Sequence, residues 1–137
     1  MKEKEAQMYS ATTHLIRIDV EPAYLEDQSE PEHDYYVWAY TIHIENQSDQ
    51  TVQLRSRHWQ ITDAQGRLHE VQGAGVVGEQ PILKPGDSFQ YTSGTPLSTP
   101  SGIMLGNYQM ETDTGETFDV DIPPFPLECP TAERLVH

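Results

Sequence analysis

The chain has 137 residues, enough for one domain with an ordinary core and too few for two comfortable ones. It carries 22 Asp+Glu against 8 Lys+Arg, a formal net charge of −14, which argues against nucleic acid and anionic membranes as partners. The single cysteine, Cys129, allows no internal disulfide, no run is long enough to insert in a membrane, and the charged opening MKEKEAQMYS lacks the apolar core of a secretory signal, so the expected location is the cytoplasm.

In chain order, residues 1–11 read as a flexible lead, 12–128 as the folded domain and 129–137 as a tail. Ile16, Ile18 and Val20 alternate with Arg17 and Asp19, the period of a half-buried strand, and Pro22 is expected to end it. Glu21 to Asp34 reads as an acidic connection in which Ala23-Tyr24-Leu25 still has room to pair at an edge. Asp34 to Glu45 is the clearest strand, with Tyr36, Trp38, Tyr40, Ile42 and Ile44 on the core face. After the Asn46-Gln47-Ser48-Asp49 turn, Thr51 to Thr62 is a strand whose parity breaks: Val52 and Leu54 are even-numbered, Trp59 and Ile61 odd. One face cannot hold both sets, so a bulge or kink is expected between Arg55 and His58, on the triplet Arg57-His58-Trp59.

Gly66 closes a hairpin, Arg67 to Gln72 returns, and Gly73-Ala74-Gly75-Val76-Val77-Gly78 forms a glycine-rich loop. Lys84-Pro85-Gly86-Asp87 turns into a strand over Ser88 to Ser93, and Thr95 to Gly102, with two prolines, reads as a crossover. Ile103 to Thr112 puts Met104, Tyr108 and Met110 in phase. Gly106 shares that phase and marks a bulge or a close approach to Trp38 or Trp59. Glu116 to Ile122 returns after Asp113-Thr114-Gly115, and Pro123 to Leu127 is expected to run along the surface outside the ladder. All the glycines fall at positions read as turns, loops or bulges. With no sustained 3.6-residue apolar period anywhere, the pattern predicts an all-β, two-sheet antiparallel sandwich of about seven to eight strands.

Two readings compete for the glycine loop. A phosphate cradle needs a helix after its last glycine, whereas Gly78 is followed by Glu79-Gln80-Pro81 and then Pro85, with no Gly-Lys-Ser/Thr sequence. A tight connection between strands needs only glycine's access to positive φ, and is favoured. The Arg57-His58-Trp59 triplet also has two readings. In one, Trp59 fills the core and Arg57 pairs with an acidic neighbour on its sheet. In the other, Arg57 and His58 point outward beside the loop as a recognition surface. The acidic stretch Glu26, Asp27, Glu30, Glu32, His33, Asp34 has no calcium-loop spacing, and the histidines show no zinc spacing. It is expected to attract divalent cations weakly, without a specific metal site. No nucleophile elbow surrounds Ser93-Gly94-Thr95, and Glu128 and prolines beside Cys129 do not favour a thiolate. No catalytic constellation and no cofactor fingerprint is found.

Five motifs carry a family resemblance: YVWAYTIHIEN at Tyr36–Asn46, SRHWQITD at Ser56–Asp63, EVQGAGVVGEQP at Glu70–Pro81, LKPGDSFQYTSGTPLSTPSGIMLGNYQM at Leu83–Met110 and FDVDIPPFPL at Phe118–Leu127. In order and spacing they resemble the ApaG (CorD) family, in its single-domain bacterial form. The resemblance implies an immunoglobulin/fibronectin type III-like fold, a link to cobalt resistance and magnesium efflux, and no settled enzymatic activity. Related domains in eukaryotic F-box proteins and in a DNA polymerase δ-interacting protein look like interaction modules. The expected function is therefore non-enzymatic binding of a protein partner, with Arg57, His58, Trp59, Gly73, Gly75, Gly78, Glu79 and Gln80 as the surface. The alternatives are a phosphate- or nucleotide-ligand binder or hydrolase using Gly73–Gly78 with Arg57, and a weak divalent-cation binder. Sheet edges also permit a homodimer.

Overall fold

Period-two alternation becomes nine antiparallel strands in the computed structural model, which describes residues 7–130. They are β1 (Tyr9–Thr13), β2 (Ile16–Tyr24), β3 (Tyr36–Asn46), β4 (Val52–Asp63), β5 (Leu68–Ala74), β6 (Ile82–Leu83), β7 (Ser88–Leu97), β8 (Ser101–Thr112) and β9 (Thr117–Glu128). One sheet has the order β1-β2-β3-β7; the other has β5-β4-β8-β9, with the short β6 also paired to β4. The chain passes from one sheet to the other between β3 and β4, β6 and β7, and β7 and β8. This is an immunoglobulin/fibronectin type III-like sandwich.

The core lies between the sheets. Ile16, Ile18, Val20, Trp38, Tyr40, Ile42 and Ile44 of the first sheet meet Leu54, Trp59, Met104, Tyr108, Met110, Val120 and Ile122 of the second. Tyr40 and Phe125 flank the Trp59 indole edge to face, with ring centroids 5.3 and 6.1 Å away. Such contacts add to plain area burial.

Several sequence expectations need correction. Tyr9–Thr13 is a strand paired with Ile16–Val20, so order begins before Thr12; residues 1–6 lie outside the described part. Of the expected tail, Cys129 is buried and residues 131–137 lie outside the described part. Pro22 does not end β2, because Pro22 still sits opposite Tyr40 and Tyr24 opposite Trp38. The segment expected as a crossover pairs instead: Pro96 lies opposite Val37 within β7. Pro123–Leu127 does not lie outside the ladder, since Phe125 and Leu127 pair with Met104 and Gly102 and are buried.

These departures share a cause. β7 and β9 are edge strands, and β2 beyond Val20 has no partner in β1. A missing N–H is tolerated where one side of a strand has no neighbour. Pro123 and Pro124 also fall where the β8–β9 register shifts between Met104 and Gly106. Gly73, Gly94 and Gly102 stand within strands rather than in turns, whereas Gly106 lies in β8 beside the β8–β9 register shift, as expected.

Candidate functional site

The parity break in β4 is resolved at Arg55. The β4–β8 register runs from Leu54↔Met110 directly to Ser56↔Gln109, leaving Arg55 as the extra residue. The bulge therefore precedes the triplet instead of falling on it. It moves Trp59, Ile61 and Asp63 onto the face that Val52 and Leu54 occupied.

The neighbouring strand leaves β4 at the same place. β5 pairs with Ser56–Thr62 and β6 with Val52–Gln53, and residues 75–81 bridge the gap between them. The Arg55 carbonyl accepts hydrogen bonds from the Gly75 N–H at 2.9 Å and from Gln80 Nε2 at 2.8 Å. Gln53 Nε2 donates to the Gln80 carbonyl at 3.0 Å, and the Leu54 N–H to the Pro81 carbonyl at 3.0 Å. Between these anchors Val76 and Glu79 exchange two backbone hydrogen bonds of 2.8 Å each. Val77 and Gly78, at φ 43° and 82°, form the two-residue tip, the geometry of a type I′ hairpin turn. Gly75 has φ 64°, and a β-carbon there would collide with the Glu79 carbonyl oxygen. Val76 is fully buried and pins the loop to the core.

Arg57 holds the base of this loop. Its Nη1 donates to the Ala74 carbonyl at 3.1 Å and the Gly75 carbonyl at 2.8 Å. The guanidinium lies over Gly73, where a β-carbon would stand 3.0 Å from Nη1. Arg57 thus pairs with backbone carbonyls, not with an acidic side chain as expected. It shares the inner face with Trp59, which is buried, whereas His58 points to the other face. There His58 Nε2 lies 3.0 Å from Glu70 Oε2. The hydrogen bond from His58, with a second from Gln60, holds the Glu70 carboxyl below its ordinary range. The structure brings Arg57, Gly73, Gly75 and Gln80 together around Arg55 and the loop base, and leaves His58 and Trp59 on opposite faces.

The chemistry of this arrangement is structural. Gly75, Val76 and Glu79 direct their N–H groups to carbonyls within the fold, and after Gly78 the chain enters β6 instead of a helix. The helix-start type of anion cradle, which needs free N–H groups at a helix N-terminus, is therefore not formed here. Near Arg57, the Tyr91 and Tyr108 hydroxyls lie 2.6 Å apart inside the core. Burial pushes both hydroxyls, and that of Tyr40, upward, only partly offset by the Arg57 charge. All three stay protonated at neutral pH. Among the described residues, no three His, Cys, Asp or Glu are grouped to hold a metal ion.

Asp63, at the far end of β4, was not singled out from the sequence. Its side chain is almost wholly buried. Burial raises its pKa, but the Arg67 N–H and guanidinium, the Gln65 N–H and His69 outweigh that and lower it to about 2. The legible signal was Asp63-Ala64-Gln65-Gly66-Arg67, an Asx-type turn with a cation four residues on.

Fold and site together define a class: a fibronectin type III-like sandwich whose second sheet carries a tight looped detour in its edge strand. The comparisons narrow that class. The model of the ApaG domain matches residues 26–112. A protein ApaG from Parvibaculum lavamentivorans is 65% identical over 130 residues, 95% of this chain and 100% of the relative. A solved structure assigned as ApaA from Bordetella pertussis is 47% identical, with a TM-score of 0.82 over 84% of this chain and 94% of its own. The C-terminal domain of Wzt shares only the fold, at 11% identity and a TM-score of 0.53 over 90% of this chain and 78% of its own. The chain belongs to the ApaG family. Among the described residues, no helix is long and apolar enough to cross a membrane.

Proposed function

We propose that the protein acts by binding a protein partner through the looped edge of its second sheet, and that it catalyses no reaction of its own. Val77 carries this reading. It is β-branched, stands at φ 43° and is 54% exposed at the tip of the turn. A left-handed conformation costs such a residue about 1–3 kcal/mol, and Asn or Gly would serve the turn better. What valine adds is an apolar side chain aimed at solvent. Ile82, 61% exposed, adds a second where the loop rejoins β4. Exposed apolar groups along a sheet edge give an added strand or loop of a partner a surface to pack against. The cation phenotypes attached to the family then follow indirectly, through a transporter or enzyme that the partner regulates.

The test compares wild type with Val77→Asn. Asn relieves the strain, so the variant is expected to melt at the same temperature or higher. Recovery of reproducible partners by affinity purification is expected to fall about tenfold, equivalent to about 1.4 kcal/mol. Equal recovery by both proteins, or turnover of nucleotides or pyrophosphate by the purified wild type that Arg57→Ala removes, overturns the reading.

A further inference from the structure

Away from the glycine loop, three turns meet at one end of the sandwich and enclose an open cavity of about 470 Å³. His14 comes from the β1–β2 turn, Ser48 and Gln50 from the β3–β4 connection, and Glu116 and Thr117 from the β8–β9 hairpin, with Val52 and Phe118 beneath. The turns are tied to one another. The Gln47 N–H donates to the Leu15 carbonyl at 2.8 Å, and the Asp113 N–H to the Thr51 carbonyl at 3.1 Å. The wholly buried Asn46 fastens the middle turn, donating to the carbonyls of Gln50 and Leu83 and accepting from the Ser48 N–H and hydroxyl. The cavity walls are therefore set before any ligand arrives.

Its lining is chemically asymmetric. Ser48 and Thr112 use their hydroxyls inside the fold. The side chains of His14, Gln50, Glu116 and Thr117 have no hydrogen-bond or ion-pair partner among the described residues, and so remain available. Glu116 is the one formal charge among the lining residues with histidine neutral. Phe118 supplies an aromatic surface, with the His14 ring edge-on at 5.5 Å. The turn that carries His14 is itself strained: His14 and Leu15 stand at φ 50° and 65° without a glycine. A free carboxylate, two neutral hydrogen-bonding groups and an aromatic ring match a cation with an apolar body. The net charge of −14 draws such cations toward the surface, and the volume lies within the range of about 300–1,000 Å³ usual for small-molecule sites.

We propose that this cavity binds an organic cation: an ammonium or guanidinium group on an apolar stem, either a free amine or the lysine or arginine side chain of a partner. Glu116 pairs with the charge, Gln50 and Thr117 accept its remaining N–H bonds, and the stem lies against Phe118 and Val52. The site shares no residue with the Val77 loop, so its success or failure is separable from that of the loop.

The experiment is an NMR titration of the full chain with cadaverine and with Nα-acetyl-lysine methylamide. Nα,Nε-diacetyl-lysine methylamide, which lacks the side-chain charge, is the control. Saturating shifts are expected at Val52, Thr117 and Phe118 with both amines, and none with the control. Glu116→Gln, an exposed and unpaired position, is expected to weaken binding about fivefold, the effect of losing one exposed charge pair. Glu32→Gln, in the acidic connection, is expected to leave it unchanged. Tighter binding of the diamine assigns a free amine; tighter binding of the capped lysine assigns a partner's side chain. Non-saturating shifts spread over Glu21–Asp34, an equal response to the control, or equal loss in both variants overturns the proposal.

Discussion

Gly106 leaves the space into which the Trp59 region of β4 packs. A β-carbon there would collide with the His58 carbonyl oxygen and stand 3.1 Å from the Trp59 ring. Backbone on one side and a buried indole on the other leave little to give. Gly106→Ala is expected to cost about 1–3 kcal/mol, the usual range for overpacking. A lower urea midpoint at unchanged m-value checks it. This close approach was readable in advance, because Gly106 falls in phase with Met104, Tyr108 and Met110. The role of Arg57 was not. Its partners are the carbonyls of Ala74 and Gly75, and a pattern of side chains does not record where carbonyls point. Which face Arg57 occupies depended on placing the bulge to the residue.

The β4–β5 hairpin gathers its polar energy at Asp63. The carboxyl titrates at about 2 in the folded chain against an ordinary value of 3.8. The folded state therefore binds the proton less readily than the unfolded state. The stability that follows is fully present above about pH 4 and is lost as pH falls through about 2. Asp63→Asn is expected to be less stable than wild type at neutral pH and to show a flatter decline between pH 4 and 2. Denaturant midpoints measured across that window check both parts; parallel curves would exclude Asp63 as the source. Strand identity in β3, β4 and β8 was legible from alternation alone. Strand ends were not: β1 lies largely in the stretch read as a flexible lead, and the ends of β2, β7 and β9 involve proline. Pro22, Pro96 and Pro123 to Pro126 read as terminators until β7 and β9 are known to be edges and β1 to stop opposite Val20, and both are properties of the assembled sheet.

Across the whole molecule, the 22 acidic side chains dominate the long-range field. Self-repulsion favours expansion, and salt screens it over about 10 Å at 0.1 M. Raising NaCl from about 0.02 to about 0.5 M is expected to lift the melting temperature by roughly 2–5 °C, the response to about 1 kcal/mol in a domain of this size. Calorimetry at the two salt concentrations checks it, and a flat response would mean that self-repulsion among the acids differs little between the folded and unfolded chain. The two-sheet architecture was legible from composition and turn spacing. The cavity under His14 was not, because its walls come from three turns far apart in sequence, and none of them carries a recognisable motif.

The two bonds that meet on the Arg55 carbonyl have an evolutionary consequence. They set Val77-Gly78 apart as a cassette clamped at both flanks. Within the clamps Val76 is held by the core and Gly78 by its positive φ, whereas the exposed Val77 side chain can change identity while β5 and β6 keep their register. A lineage can in this way exchange what the tip displays to solvent without re-solving the sandwich beneath it.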